Sequence, residues 1–200
     1  MQANILQTSF YAHEDVLAIS QALLGKFIVT EYQQKRTVGM IVETEAYNGA
    51  LDRASHAFND RRTSRTQTLY QAGGVAYVYL CYGMHNLFNI VTGALDNPQA
   101  VLIRAIEPVE GIEVMLERRK LLKPLYRLTN GPGVLTQALG ISIEDNSRSL
   151  YGSPLWIEDR GLHFTDKQIL KTPRVGIDYA KEHRDLPWRF RVKGNPWIGK

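Results

Sequence analysis

Two segments of the sequence combine proton-accepting side chains with aromatic rings. Residues 43–47 hold two carboxylates and a tyrosine, and His56 follows shortly after. Residues 77–89 hold three tyrosines, a glycine and two asparagines. A carboxylate can take a proton from water, and aromatic rings can hold a planar group by stacking. Together the segments could grip a planar base and activate a water against its glycosidic bond.

The two carboxylates are Glu43 and Glu45. If residues 38–46 are extended, the two-residue period of a strand places both on one face. Acidic side chains on an apolar strand are costly unless they are solvated or paired. From this pair alone, an exposed strand face with salt bridges is the simpler interpretation. The surrounding rings, together with Arg104, favour a functional site instead.

The tyrosine-rich segment predicts a strand followed by an exposed turn. Tyr77, Tyr79 and Cys81 share one face of that strand, and Tyr82 precedes Gly83 at the turn. Tyrosine favours strands, so ordinary core packing is the alternative, and Tyr77 fits it best. An exposed wedge beside a ring-lined pocket suits a protein that flips nucleotides. Electron-rich rings would also attract a cationic base.

These residues need elements to position them. Helices are predicted over residues 13–24, 110–122 and 130–140. Strands are predicted over residues 27–32, 38–46, 75–81, 87–92, 100–106, 155–157, 163–164 and 174–177. Residues 48–66 are polar and predict a surface loop or short helix. Early hairpins with scattered helices predict an α+β fold: one domain over residues 1–200, built on a curved, mainly antiparallel β-sheet with surrounding helices.

Composition limits the classes of protein. A chain of 200 residues with a net charge of +4 fits one domain and weakly favours an anionic partner, although many basic proteins bind none. Cys81 is the only cysteine, so no intramolecular disulfide can form. The first six residues lack the charge and apolar pattern of a signal peptide, and no apolar run is long enough to span a membrane. A cytoplasmic protein without a membrane partner is expected.

A metal site is a weaker alternative. Glu43, Glu45, His56 and Glu107 could ligate an ion, but they form no compact ligand motif. No metal or other cofactor is therefore expected. The glycines around Pro132 could cradle a phosphate at a helix start, although a plain helix start is simpler.

The same segments resemble the alkyladenine (3-methyladenine, methylpurine) DNA glycosylase family. The resemblance runs through residues 39–47, His56, 77–89 and 102–108, and resumes at 131–132 and 189–197. It implies a mixed α/β domain around an antiparallel sheet, with no cofactor. It also implies that the substrate is double-stranded DNA containing damaged purines, alkylated or deaminated, and that base release begins base excision repair. A nucleoid-associated monomer without an obligate protein partner would follow.

The resemblance also implies residue roles. Glu45 resembles the general base, and Arg104 a partner of the attacking water or of a phosphate. The residues implied to enclose the flipped base are Tyr47, His56, Tyr79 and Asn89; the asparagine would discourage guanine by crowding its exocyclic amino group. Tyr82, with Met84 beside it, resembles the part that intercalates into the duplex.

Two departures from the animal members of the family are visible: this sequence has no long N-terminal extension, and it has His85 where they carry a phenol.

The arginines of the polar loop and the absence of lysine add two expectations. Arg61, Arg62 and Arg65 suit bidentate phosphate contacts, although a solvated loop explains them equally well. No lysine lies between Arg36 and Arg119. Schiff-base chemistry by an amine is therefore not expected. We expect hydrolysis without lyase activity instead. A non-catalytic nucleic-acid-binding module and a hydrolase of small nucleosides or sugars are the remaining alternatives.

Overall fold

The computed structural model describes residues 4–199; residues 1–3 and 200 of the predicted domain lie outside this range. The strands are β1 (Phe27–Tyr32), β2 (Lys35–Tyr47), β3 (Ala76–Cys81), β4 (His85–Thr92), β5 (Gln99–Glu110), β6 (Tyr151–Gly152), β7 (Leu155–Glu158), β8 (Ile169–Thr172) and β9 (Arg189–Val192). The α-helices are α1 (Thr8–Tyr11), α2 (Val16–Ala22), α3 (Ile112–Arg119) and α4 (Pro132–Leu139). Between residues 4 and 199, no helix is both long and apolar enough to cross a membrane.

The strands form one curled sheet in the spatial order β3, β4, β5, β2, β1, β7, β6. β9 pairs with the second half of β2, and β8 pairs with β9. Every pairing between these nine strands is antiparallel. Register shifts along the β2–β5 pair add local twist. The predicted α+β class with a curved antiparallel sheet is confirmed.

β2 is the strand on which the site depends. It pairs with β5 along one edge, and along the other it leaves β1 and joins β9. Helix α2 packs over its second half, where the Ser20 and Thr44 hydroxyls are 3.0 Å apart in the buried interior. Successive strand residues point to opposite faces. Docking Thr44 against α2 therefore turns its neighbours, Glu43 and Glu45, to the other face.

Several predicted boundaries were too wide, and each correction has a local cause. The helix predicted over 13–24 is α2, which begins after Asp15 because that carboxylate accepts the N–H groups of Leu17 and Ala18. The helix predicted over 110–122 starts later, because β5 continues through Glu110. Gly111 then makes the turn with φ +69°, a conformation that favours glycine.

Two predicted strands were wrong. Residues 163–164 and 174–177 are not strands, and β8 lies between them. The Nδ1 atom of His163 lies 3.3 Å from the Nζ atom of the buried Lys26. The Val175 N–H donates to a side chain rather than to a neighbouring strand. Short apolar runs carry too little periodicity to separate a strand from a packed loop.

Candidate active site

Glu43 and Glu45 lie at the centre of the sheet, between β5 and β9, and both are fully buried. Arg104 of β5 lies between them, with Nε 3.1 Å from Glu43 Oε1 and Nη1 3.4 Å from Glu45 Oε1. Arg189 of β9 also contacts Glu43, at 2.6 Å. The interpretation as an exposed strand face is therefore wrong; the two carboxylates are buried and compensated.

Glu45 accepts hydrogen bonds from two further groups. The backbone N–H of Val175 donates to Oε1 at 2.8 Å, and the hydroxyl of Tyr47 donates to Oε2 at 2.9 Å. Burial raises the pKa of Glu45, while Arg104 and these two donors oppose the shift. A carboxylate offers about four acceptor positions. Oε2 accepts one hydrogen bond, from Tyr47, so a further position on this oxygen could accept a water proton.

A cavity of about 650 Å³ opens in front of this carboxylate. Its aromatic lining comprises Tyr47, His56, Tyr77, Tyr79, Tyr82, His85 and Tyr179. Glu45 lies directly behind the wall, since its contacts Tyr47, Arg104 and Val175 all line the cavity. The volume is within the usual range for small-molecule pockets, about 300–1,000 Å³.

The rings on one side of the cavity support one another. His56 packs edge-on against Tyr79 with centroids 4.6 Å apart, and its Nδ1 is 2.9 Å from the Tyr77 hydroxyl. Tyr77 is buried as predicted, but it also fixes the orientation of His56. Burial, with Arg65 and Arg61 nearby, lowers the pKa of His56 to about 4. The imidazole is therefore neutral at neutral pH.

Asn89 lies at the floor of the cavity and is buried. Its amide nitrogen donates to the backbone carbonyl of Tyr77 at 3.1 Å. This hydrogen bond holds the amide at the cavity floor. The structure thus brings together all four residues that the resemblance implied would enclose a base: Tyr47, His56, Tyr79 and Asn89.

The turn between β3 and β4 stands at the mouth of the cavity. Tyr82 is 88% exposed with φ +49°, and Met84 is 73% exposed. The predicted exposure of Tyr82 is confirmed. Gly133 at the start of α4 supports the base of this turn, because a Cβ there would lie only 2.9 Å from the side chain of His85. Leu80, which the sequence did not single out, is half exposed and adds an apolar contact at the rim.

The three predicted phosphate-binding arginines separate into two groups. Arg61 and Arg65 line a second cavity of about 670 Å³, which shares His56 with the first. Arg62 lies 2.8 Å from Asp96 and stacks 3.8 Å above the ring of Tyr70. Two of the three arginines therefore face the site, while the third is held by a carboxylate.

The groups conceivable as metal ligands do not converge. Glu107 accepts from the side chain of Asn195 at 2.7 Å, while Glu43 is paired with arginines. In residues 4–199, no group of three or more His, Cys, Asp or Glu side chains is arranged to hold an ion.

Sequence reasoning missed Val175, because a backbone N–H has no residue-type signature. Its loop also carries Arg174, which is buried although its neighbours in the chain are exposed. The short apolar run was interpreted as a strand, and nothing in that pattern indicated a contact with Glu45.

Comparison with known proteins gives a consistent result. Residues 9–196 match the family model described as Methylpurine-DNA glycosylase (MPG). A protein of Chlamydia felis, provisionally named a 3-methyladenine DNA glycosylase, is 50% identical over 187 residues, which cover 93% of this chain and 95% of the relative. A Bacillus subtilis protein with the same provisional name is 45% identical over 199 residues, covering 100% of this chain and 98% of that relative.

Proposed function

Because the chain belongs to the methylpurine-DNA glycosylase family, we propose that Glu45 activates a water against the N-glycosidic bond of a purine flipped into the aromatic cavity. The observation that carries the proposal is the placement of this carboxylate. It lies directly behind the cavity wall, held by two hydrogen bonds and the Arg104 ion pair, and Oε2 accepts a hydrogen bond from Tyr47 alone. A water at this oxygen would be both oriented and deprotonated.

The chemistry that such a site must supply is modest. A glycosidic bond breaks through a state in which the sugar carbon carries positive charge. The Glu45 carboxylate accepts the proton of the attacking water and its negative charge stabilises that cation. Arg104 keeps the carboxylate available in its ionised form. Because burial raises the pKa of Glu45 toward the working pH, the group accepts a proton more readily than an ordinary surface carboxylate.

The rings would hold the extruded base by stacking, which contributes roughly 1–3 kcal/mol per base. Tyr47 is hydrogen-bonded to Glu45, and His56 and Tyr79 pack against each other in the lining of the same cavity. A neutral His56 adds no positive charge against a cationic methylated purine, which supports its role as a stacking ring. Asn89, fixed at the floor, would crowd the exocyclic amino group of guanine.

The exposed turn would fill the gap that the flipped base leaves. Tyr82 is large and flat and projects from a hairpin tip beside the cavity mouth. Met84 and Leu80 extend the apolar surface around it. Unstacking costs a few kcal/mol per step, and an inserted apolar side chain offsets part of that cost. Tyr82 with Met84 is therefore the proposed intercalating element.

The substrate class is tested with defined DNA duplexes. We expect abasic sites in dimethyl-sulfate-treated duplex and in duplexes that carry hypoxanthine or ethenoadenine. Strand breaks should form only after alkali, because no lysine among residues 4–199 lines the cavity. Borohydride should then trap no enzyme–DNA adduct. If free 7-methylguanosine is hydrolysed as fast as the duplex lesion, the protein is a nucleoside hydrolase and the proposal is wrong.

Arg61 and Arg65 are the proposed phosphate contacts, and Arg62 provides a matched control on the same loop. Each phosphate contact that is lost lowers the slope of log affinity against log salt concentration by about 0.9. We expect Arg61→Gln to lower that slope for lesion-containing duplex. Arg62→Gln should leave it nearly unchanged, because Asp96 holds the Arg62 side chain. A salt series of binding titrations measures both, and equal slopes for the two variants would contradict the assignment.

A further inference from the structure

Arg174 is a buried cation next to the site that the proposed mechanism does not use. It is 5% exposed, and it lies in the loop between β8 and β9, where its neighbours Pro173 and Val175 are exposed. A charged side chain that turns inward from an exposed loop needs specific partners, because desolvation is costly. Tyr47 and Val175 donate the hydrogen bonds that Glu45 accepts, and Arg174 is connected to both of them.

The guanidinium is held by a carboxylate far away in sequence. Its two terminal nitrogens donate to the two oxygens of Asp52, in the bidentate arrangement that suits arginine, and one of them also donates to the Ala46 carbonyl at 2.9 Å. Asp52 in turn accepts the N–H groups of Asn48 and Ala54. Burial would raise the pKa of Asp52, but Arg174 and these N–H groups lower it below its usual range. The pair is therefore ionised and fixed.

The same guanidinium is stacked between two rings. Its Cζ lies 4.7 Å from the ring centroid of Tyr47 and 5.0 Å from that of Trp188. Tyr47 donates its hydroxyl to Glu45. Arg174 is also bonded covalently to Val175, whose N–H is the other donor to Glu45. One buried side chain thus fixes a ring and a backbone amide that both hold the carboxylate.

We propose that Arg174, clamped by Asp52, is a positioning residue that orients Glu45 through Tyr47 and Val175. Arg174 does not contact the carboxylate and does not itself line the cavity, so it acts through Tyr47 and Val175, which do line it. The proposal rests on the proposed function, since it concerns the same proton acceptor. Lysine would keep the charge, but it lacks the flat surface and the paired donors that this position uses.

The test compares Arg174→Lys and Asp52→Glu with the wild type. Both variants keep the charges of the ion pair, so they separate position from charge. We expect single-turnover excision from methylated duplex to fall by about 10- to 100-fold, as for a displaced catalytic group. The Kd for lesion-containing duplex should change much less, because the stacking rings of His56 and Tyr79 are unaltered.

The pH profile distinguishes positioning from a purely structural role. The charged or titratable groups that face Glu45 are Arg104, Arg189, Tyr47, Tyr179 and, across the Tyr47 ring, Arg174. His183 lies 3.5 Å from Asp52 on the far side of the ion pair. Loosening the Tyr47 and Val175 donors removes stabilisation of the carboxylate, so the acid limb of the rate profile should move to higher pH. A structural role would lower Tm and the amount of active protein but leave the limb where it is.

The control is Arg148→Lys, which alters another arginine paired with a buried aspartate, Asp145, away from both cavities. It should leave the excision rate and the pH profile unchanged. If Arg174→Lys and Asp52→Glu both match the wild type in these two readouts, the proposal is overturned. If the wild type itself does not excise methylated purines, the proposed function fails instead, so the two failures are distinguishable.

Discussion

Replacing Glu45 by glutamine is expected to reduce excision by at least about 10²–10⁴-fold, the usual contribution of a general base. The amide has nearly the shape of the carboxylate: its oxygen can keep the hydrogen bond from the Val175 N–H, and its NH2 group can donate to the Tyr47 hydroxyl, which then accepts instead of donating. The amide cannot take a proton from water, nor stabilise a positive sugar carbon by charge. Binding of lesion-containing duplex should be retained, because the cavity lining is unaltered. Single-turnover excision and equilibrium binding measured in parallel check both parts.

The pH dependence of the wild type provides a second readout of the same residue. The proposed acceptor must be ionised, and burial raises the pKa of Glu45. Excision should therefore fall, as pH is lowered, at a pH above the ordinary carboxyl value of about 4.3. Glu107→Gln is a suitable control, because Glu107 lies on the same sheet but bonds Asn195 instead. If Glu45→Gln excises at the wild-type rate, the assignment of Glu45 as the general base is wrong.

The second large effect is expected from Arg104→Met, and it is an effect on stability as well as on activity. Arg104 is 13% exposed and lies between two fully buried carboxylates. Removing it leaves Glu45 without its salt bridge, and Arg189 remains as the salt-bridge partner of Glu43. Removing one partner of a buried ion pair typically costs about 3–5 kcal/mol of stability. Urea denaturation should show a loss of this order in the free energy of unfolding.

The sign of the pH dependence follows from Glu45. Without Arg104, the folded-state pKa of Glu45 rises further above its value in the unfolded chain. A carboxyl group with a raised folded-state pKa stabilises the fold when protonated, and that stability is lost as pH rises through the folded-state value. The deficit of Arg104→Met should therefore be larger at pH 8 than at pH 5.

An exposed arginine supplies the control for this measurement. Arg36 pairs with Glu31 at 3.2 Å at the surface, and Arg36→Met should cost less than about 1 kcal/mol. A similar small cost for Arg104→Met would contradict the view that the carboxylates depend on it.

The sequence predicted the parts of the site that lie within single elements. Alternation along β2 placed Glu43 and Glu45 on one face, and the Tyr82-Gly83 pair indicated an exposed turn. Both follow from local geometry, because a strand repeats every two residues and a hairpin tip projects into solvent. The resemblance to a family added roles for these residues, and their placement around one cavity is consistent with those roles.

The sequence pattern could not predict contacts between distant segments. The sequence interpreted residues 174–177 as a strand, whereas the Val175 N–H in fact holds Glu45, 130 residues away. It grouped Arg62 with Arg61 and Arg65, although an aspartate 34 residues further on holds Arg62. Neither partner is indicated by residue type or spacing.

The sequence by itself thus determined which chemical groups the protein possesses and which side of a strand or turn presents them. Only the tertiary structure decided that Glu45 lies behind the cavity wall and that Asp52 fixes Arg174 across 122 residues of sequence. The physical reason is that periodicity and turn chemistry act over a few neighbouring residues. Burial, ion pairing and hydrogen bonding to a loop backbone depend on how separate segments pack together.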